Sequence, residues 1–422
     1  MTDVRVSCPA GTIVGVTDGD VTHFHSIPYS DIPGDFLDAV RLPPQDLIDA
    51  RAYRPGSIAL TVVTPAGARE LADLPVIVYI HGGRYEYGTH GDRRAEGTPN
   101  AHAGVITVHI GYRVKLAGLA RFHDDEPHHY RGIDDCQLGL EWVQRNIESF
   151  GGDPTNVTLV GQSAGATTAL WLTRRDHYRG GFRRVMAMSP CFPRASFAER
   201  KGTLRMALGK PVTRAALSRM PARALDRGYN RFRTWYAMDM ALGPTPLDGR
   251  ELADIPLWVT STREEFYHLP AGRKADASRL RERLAQGLAK RMGMTGSFDT
   301  WLAAARKIDP RRIGGRLIGD AQNRRWVSQT AEEAPGRVWM SEFVRDHGPA
   351  LHCADIPTVF GLEPGPSHDL LLTFARGEDL PWPEFDADGE RTALRINLDS
   401  GETTLVNDPL KMVREAFGSA AP

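Results

Sequence analysis

The feature that most constrains the fold is a five-residue turn set between two kinds of regular structure. Asn156-Val157-Thr158-Leu159-Val160 is a run of strand type, and residues 164–172 are small and apolar in the manner of a buried helix. Gly161-Gln162-Ser163-Ala164-Gly165 joins them. A strand that becomes a helix within one residue holds that residue in a strained conformation, and side chains in place of the flanking glycines would strike the neighbouring strand and helix. The serine hydroxyl then stands clear of the sheet, at the positive end of the helix that follows. This G-x-S-x-G elbow makes Ser163 the candidate nucleophile.

The pattern around the elbow sets the fold class. Residues 12–17 and 23–28 read as short strands joined through Asp18-Gly19-Asp20, and residues 58–63 as a third strand closed by Pro65. Val76-Ile77-Val78-Tyr79-Ile80 and Val105-Ile106-Thr107-Val108-His109-Ile110 are continuous apolar runs of the kind buried on both faces. Residues 134–147 form an amphipathic helix stopped by Gly151-Gly152. Strand and helix alternate, which predicts an α/β fold with a mostly parallel central sheet and helices on both faces. Further strands are expected over 255–260 and 337–343, with helices over 280–292 and 329–334.

Residues 194–233 carry eleven Lys or Arg against only Glu199 and Asp226. We read them as part of a basic helical excursion over about 194–250, its charge a solvated face rather than a dock for an acidic partner. The whole of 1–422 is expected to be a single domain carrying this excursion. Over the full chain 52 basic residues balance 52 acidic ones, so no global field draws it to nucleic acid or an anionic membrane. The longest apolar strip, residues 74–80, is far short of a membrane span. The N-terminus has no signal-peptide pattern, and Cys8, Cys136, Cys191 and Cys353 are widely spaced, which suggests free thiols and a cytoplasmic location.

His81-Gly82-Gly83-Arg84 follows the strand at 76–80. A loop in this position presents backbone N–H groups to the oxygen that becomes negative during acyl transfer, each worth roughly 3 kcal/mol in the transition state. Gly83, Arg84 and Ala164 are the candidate donors, and His81 reads as a structural residue bonded to the loop backbone.

Two long stretches carry a family resemblance. Leu74-Pro75-Val76-Ile77-Val78-Tyr79-Ile80-His81-Gly82-Gly83 resembles the type-B carboxylesterases, which include the cholinesterases, within the α/β-hydrolase fold. So does Leu140-Glu141-Trp142-Val143-Gln144-Arg145-Asn146-Ile147 running into Phe150-Gly151-Gly152-Asp153-Pro154-Thr155-Asn156-Val157-Thr158-Leu159. Ser26-Ile27-Pro28-Tyr29, Tyr112-Arg113 and Trp382-Pro383-Glu384-Phe385-Asp386 are similar to shorter motifs of the same family.

The resemblance implies a triad of Ser163, Glu265 and His352. Arg263-Glu264-Glu265-Phe266 matches the family's acid segment, and His352-Cys353-Ala354-Asp355-Ile356-Pro357-Thr358-Val359-Phe360 its histidine segment. The implied activity is a serine carboxylic-ester hydrolase that acts on small esters through an acyl-enzyme, with no metal or organic cofactor. An amidase or carbamate hydrolase with the same triad is one alternative, and a non-catalytic cholinesterase-like binding module another. His368, in Ser367-His368-Asp369, is the rival base.

Three departures from the family stand out: Arg84 in place of a small residue, Gln162 in place of Glu, and Phe266 in place of Gly. The Arg84 side chain is expected either to lie beside the acyl site, favouring anionic esters, or to turn to solvent or pair with Glu86.

Overall fold

The computed structural model describes residues 1–418. The middle of its large sheet is parallel, in the order Ile106–Ile110, Leu74–Ile80, Gly152–Gln162, Arg184–Met188, Leu257–Thr262, Val338–Val344 and Thr392–Asn397. After Leu74–Ile80 the chain adds Ile106–Ile110 on one side, then returns to lay Gly152–Gln162 on the other. Ligands of open α/β sheets bind outside the carboxyl ends of the strands at such a reversal. Ser163 is the residue that follows Gly152–Gln162.

The continuous apolar runs are buried on both faces because successive side chains point to opposite sides of a strand. Val76, Val78 and Ile80 enter one core with Ile133, Leu140 and Val143 of the helix Arg131–Asn146. Ile77 and Tyr79 enter a second core with Leu371 and Phe374 of the helix Ser367–Arg376. All five strand residues are fully buried, and each such aliphatic side chain contributes about 1.5–3 kcal/mol of transfer free energy. A short 3-10 turn, Ile147–Phe150, extends the first helix, and Gly151 at φ +89° ends it.

An antiparallel wing precedes the parallel strands. Thr2–Cys8, Gly11–Asp18, Val21–Pro28 and Ala59–Pro65 pair in that order, and the last pairs with Ile106–Ile110. The hairpin at Asp18-Gly19-Asp20 is present, whereas Thr2–Cys8 went unread. It is an edge strand in which Val4 and Val6 only partly reach the core, so its alternation is weak.

Two helical excursions leave the sheet at its carboxyl edge. The first holds Phe197–Leu208, Arg214–Ser218 and Ala222–Thr234. A capping box between Ser196 and Glu199 starts its first helix, and Gly209 at φ +64° stops it. Its charge is only partly a solvated face. Arg214 pairs with Asp124 and Asp125, Arg233 with Glu86, and the buried Arg200 with Asp239. Those acids are distant in sequence or lie beyond the basic stretch, so its composition alone hid them.

The second excursion runs through Pro270–Asp276, Arg281–Ala289, Phe298–Ile308 and Ile313–Gly319, then a π-helical stretch Asp320–Arg324 into Arg325–Glu333. Only its parts at 280–292 and 329–334 were expected. Among the described residues no helix is long and apolar enough to cross a membrane, and all four cysteines are unpaired.

Candidate active site

Ser163 sits at φ +55° and ψ −118° at the start of the helix Ala164–Thr173, a conformation that costs a non-glycine residue about 1–3 kcal/mol. Packing enforces it. Ser163 N–H donates to Met188 O at 2.8 Å. A Cβ on Gly161 would lie 2.3 Å from the Gly165 carbonyl oxygen, and one on Gly165 would lie 2.0 Å from that of Ile80. The helix start is thus pressed onto the strand behind it, with no room for a methyl group.

Glu265 and His352 arrive from the loops after Leu257–Thr262 and Val338–Val344, on the same edge of the sheet. Glu265 Oε2 accepts from His352 Nδ1 at 2.5 Å. Glu265 Oε1 accepts from Ser189 Oγ at 2.6 Å and from Thr262 N–H at 3.0 Å. The His352 N–H donates to the Glu265 carbonyl at 2.8 Å, so main chain and side chain bind the two loops together. Glu264 faces elsewhere, accepting from Arg263 Nε at 2.7 Å and Ala350 N–H at 2.9 Å. The Phe266 ring packs against the imidazole at 4.7 Å between centroids.

Burial opposes ionisation of Glu265, but His352, Ser189 and the Thr262 N–H outweigh it and hold the carboxyl below its usual range. Burial likewise disfavours the imidazolium of His352. Cys353 and Glu265 overcome that penalty, and the imidazole stands well above its ordinary value. Asp355, buried three residues on, is pushed up to about 7 by burial and by the charge of Glu265.

With Nδ1–H committed to Glu265, Nε2 is the nitrogen free to take a proton. Gln162 Nε2 lies 3.3 Å from it. Ser163 Oγ is turned to Cys191 Sγ at 3.5 Å, and among the described residues no hydrogen bond joins it to His352. The structure therefore joins Glu265 to His352 and brings Ser163 to the same edge, with no Ser163–His352 bond made. Such bonds commonly close only around substrate.

The loop after Leu74–Ile80 passes directly over the serine. A Cβ on Gly82 would lie 2.4 Å from Gln162 Oε1 and 3.1 Å from Ser163 Cβ. Gly83, Arg84 and Tyr85 all have positive φ, at +105°, +58° and +58°, which turns the backbone sharply here. Among the described residues the N–H groups of Gly83, Arg84 and Ala164 donate to no protein acceptor. His81 bonds the loop through Nδ1 to Gly82 O at 2.8 Å and stacks on Tyr112 at 4.4 Å. Burial pushes its imidazole down to about 4.

The Arg84 side chain does not meet Glu86, which Arg233 of the excursion occupies at 2.7 Å. Arg84 Nη2 donates instead to the Asp239 carbonyl at 2.6 Å. His368 is held by Asn100 Oδ1 at 2.8 Å, on a helix that belongs to the second core. Among the described residues no three His, Cys, Asp or Glu are grouped to hold a metal ion. A cavity of about 450 Å³ ringed by His23, His25, His90 and His109 lies elsewhere, and none of Ser163, Glu265 or His352 lines it.

Sequence reasoning missed Ser189, Cys191, Asn323 and Asp355. Asn323 Nδ2 donates to Ser189 O at 2.8 Å, which steadies the turn carrying Ser189 and Cys191. The usable signal was position: Ser189-Pro190-Cys191 follows Arg184–Met188, the strand beside the one that leads into Ser163.

Comparison with known proteins places these elements in context. The model of the "Carboxylesterase family" matches residues 2–207. The chain is similar to fumonisin B1 esterase of Sphingopyxis macrogoltabida, at 26% identity over 93% of this chain and 86% of that protein. It is similar to para-nitrobenzyl esterase of Bacillus subtilis (strain 168), at 31% identity over 45% of this chain and only 44% of that protein. Its fold is similar to the solved structure of the carboxylesterase EST55 of Geobacillus stearothermophilus, with TM-score 0.80 and 23% identity over 97% of this chain and 99% of that one.

Proposed function

We propose, from the match of the carboxylesterase family model to residues 2–207, that the chain hydrolyses small carboxylic esters with Ser163 as nucleophile, His352 as base and Glu265 as the acid that orients it. His352 Nε2 takes the Ser163 proton as Oγ attacks the ester carbonyl, and the tetrahedral oxyanion is held by N–H groups of Gly83, Arg84 and Ala164. Glu265 keeps the proton of the resting imidazole on Nδ1 and stabilises the imidazolium that forms. His352 then protonates the departing alcohol. In the second half it activates a water that cleaves the acyl-serine. The acyl carbon exchanges alkoxide for serine and then serine for hydroxide, so the balance closes without any further reactant.

The single observation that carries this reading is the elbow, a serine at φ +55° between a buried strand and a helix, beneath a loop in which, among the described residues, the Gly83 and Arg84 N–H groups have no protein acceptor. Two relatives named as esterases support it. The test is turnover of p-nitrophenyl acetate against p-nitroacetanilide, by wild type and Ser163→Ala. We expect the ester to be cleaved, the anilide at least about 10³-fold more slowly, and the Ser163→Ala protein to fold with under a few per cent of the esterase rate. Faster anilide turnover would make the protein an amidase, and an active Ser163→Ala variant would remove the serine from the mechanism.

A further inference from the structure

Four guanidinium groups gather near Asp239, two of them on its carboxylate. Asp239 is buried, and its carboxylate is taken by Arg200 at 2.5 Å, with Arg194 Nη2 at 3.5 Å. Its carbonyl takes Arg84 Nη2 at 2.6 Å, which ties the group to the loop over Ser163. Arg325 is the fourth. Its guanidinium lies over the Trp326 ring at 4.4 Å, and Trp326 packs on Phe192 at 5.2 Å, the residue after the cysteine that touches Ser163 Oγ. A Cβ on Gly293 would lie 2.5 Å from Arg325 Nη1 and 3.5 Å from Arg194 Cδ, so these two side chains are neighbours.

The charges do not balance. Among the described residues the Arg325 guanidinium makes no hydrogen bond and no ion pair, and Arg194 Nη1 is buried without a partner. Burial and the nearby Arg194 push Arg325 down to about 10, the mark of a desolvated cation facing another cation. Both side chains are only partly buried, but holding a partly desolvated charge unpaired still costs a fold, and a planar guanidinium is the group that best takes a carboxylate in two parallel bonds.

We propose that Arg325 and Arg194, with Arg84 at the margin, bind a carboxylate carried by the substrate, so that the protein prefers anionic esters. This rests on the hydrolase reading above and names the substrate class of that same site. It also gives a role to Arg194, at the start of the basic stretch. The carboxylate can belong to the acid half of the ester or to the alcohol half, and the two are separable.

The test compares p-nitrophenyl acetate with mono-p-nitrophenyl succinate, charged on the acid side, and 4-acetoxybenzoate, charged on the alcohol side. Arg325→Gln and Arg194→Gln should each lower the anionic-to-neutral ratio of kcat/KM by tenfold or more for one of the charged esters, chiefly through KM. Arg325→Lys should restore part of it. The charged ester that responds identifies the half that bears the carboxylate. Should these variants fail to fold, inhibition of the wild type decides: succinate should compete with p-nitrophenyl acetate at least tenfold better than succinamide. Equal inhibition, or ratios within twofold of wild type for both charged esters, overturns the proposal and leaves the hydrolase reading intact. Cleavage of none of the three esters overturns both.

Discussion

Glu264 and Glu265 are neighbours in the chain with different surroundings, and the difference predicts different defects. Glu265 faces His352 Nδ1, whereas Glu264 is enclosed by Arg263, Arg316 and the Ala350 N–H. A base works only when unprotonated, and His352 stands above its ordinary value. Hydrolysis should therefore rise with pH across a limb lying above about 6.5. Glu265→Gln removes a charge that favours the imidazolium, so the limb should move to lower pH while kcat falls about 10³- to 10⁴-fold. Glu264→Gln should leave the limb in place and instead lower stability by about 3 kcal/mol, because Arg316 is buried. A pH–rate profile and a urea titration of both variants separate the two effects. A limb shifted by Glu264→Gln and not by Glu265→Gln would exchange their assignments.

At the scale of elements, the elbow is a contact between a helix start and a strand, and its glycines are the contact surface. Gly165→Ala would put a methyl carbon 2.0 Å from the Ile80 carbonyl oxygen, a backbone atom with nowhere to go. We expect it to cost at least about 3 kcal/mol or to prevent folding. Gly202, exposed within Phe197–Leu208, has nothing within 4 Å of an added Cβ. Gly202→Ala should raise stability by about 1 kcal/mol through helix propensity alone. Urea midpoints measure both, and an unperturbed Gly165→Ala would mean the elbow is looser than described.

The same contrast explains what the sequence revealed. The elbow and the buried strands were legible because their constraints act within a few residues of chain. The helices Pro270–Asp276, Phe298–Ile308 and Ile313–Gly319 were not. Gly314 and Gly315 are poor helix formers, yet the pair lies in a helix at a close crossing in which a Cβ on Gly272 would come 3.0 Å from Gly315 Cα. The partners of the basic excursion and the residues around Ser163 from the turn at Ser189 were hidden likewise, because tertiary packing alone brings them near.

Over the whole molecule, a central parallel sheet delivers three side chains to one edge from three separate loops. Glu265 and His352 are in contact at 2.5 Å, while Ser163 still faces Cys191. Everything else, including the arginine group that would read the substrate, depends on Ser163 being the residue that attacks. The most direct test is to treat the folded protein with a fluorophosphonate and map the adduct by peptide mass spectrometry. One phosphonyl group is expected, on Ser163, formed in step with loss of esterase activity and formed far more slowly in His352→Ala but not in His368→Ala. An adduct on another residue, or full esterase activity in protein stoichiometrically labelled at Ser163, would contradict this assignment.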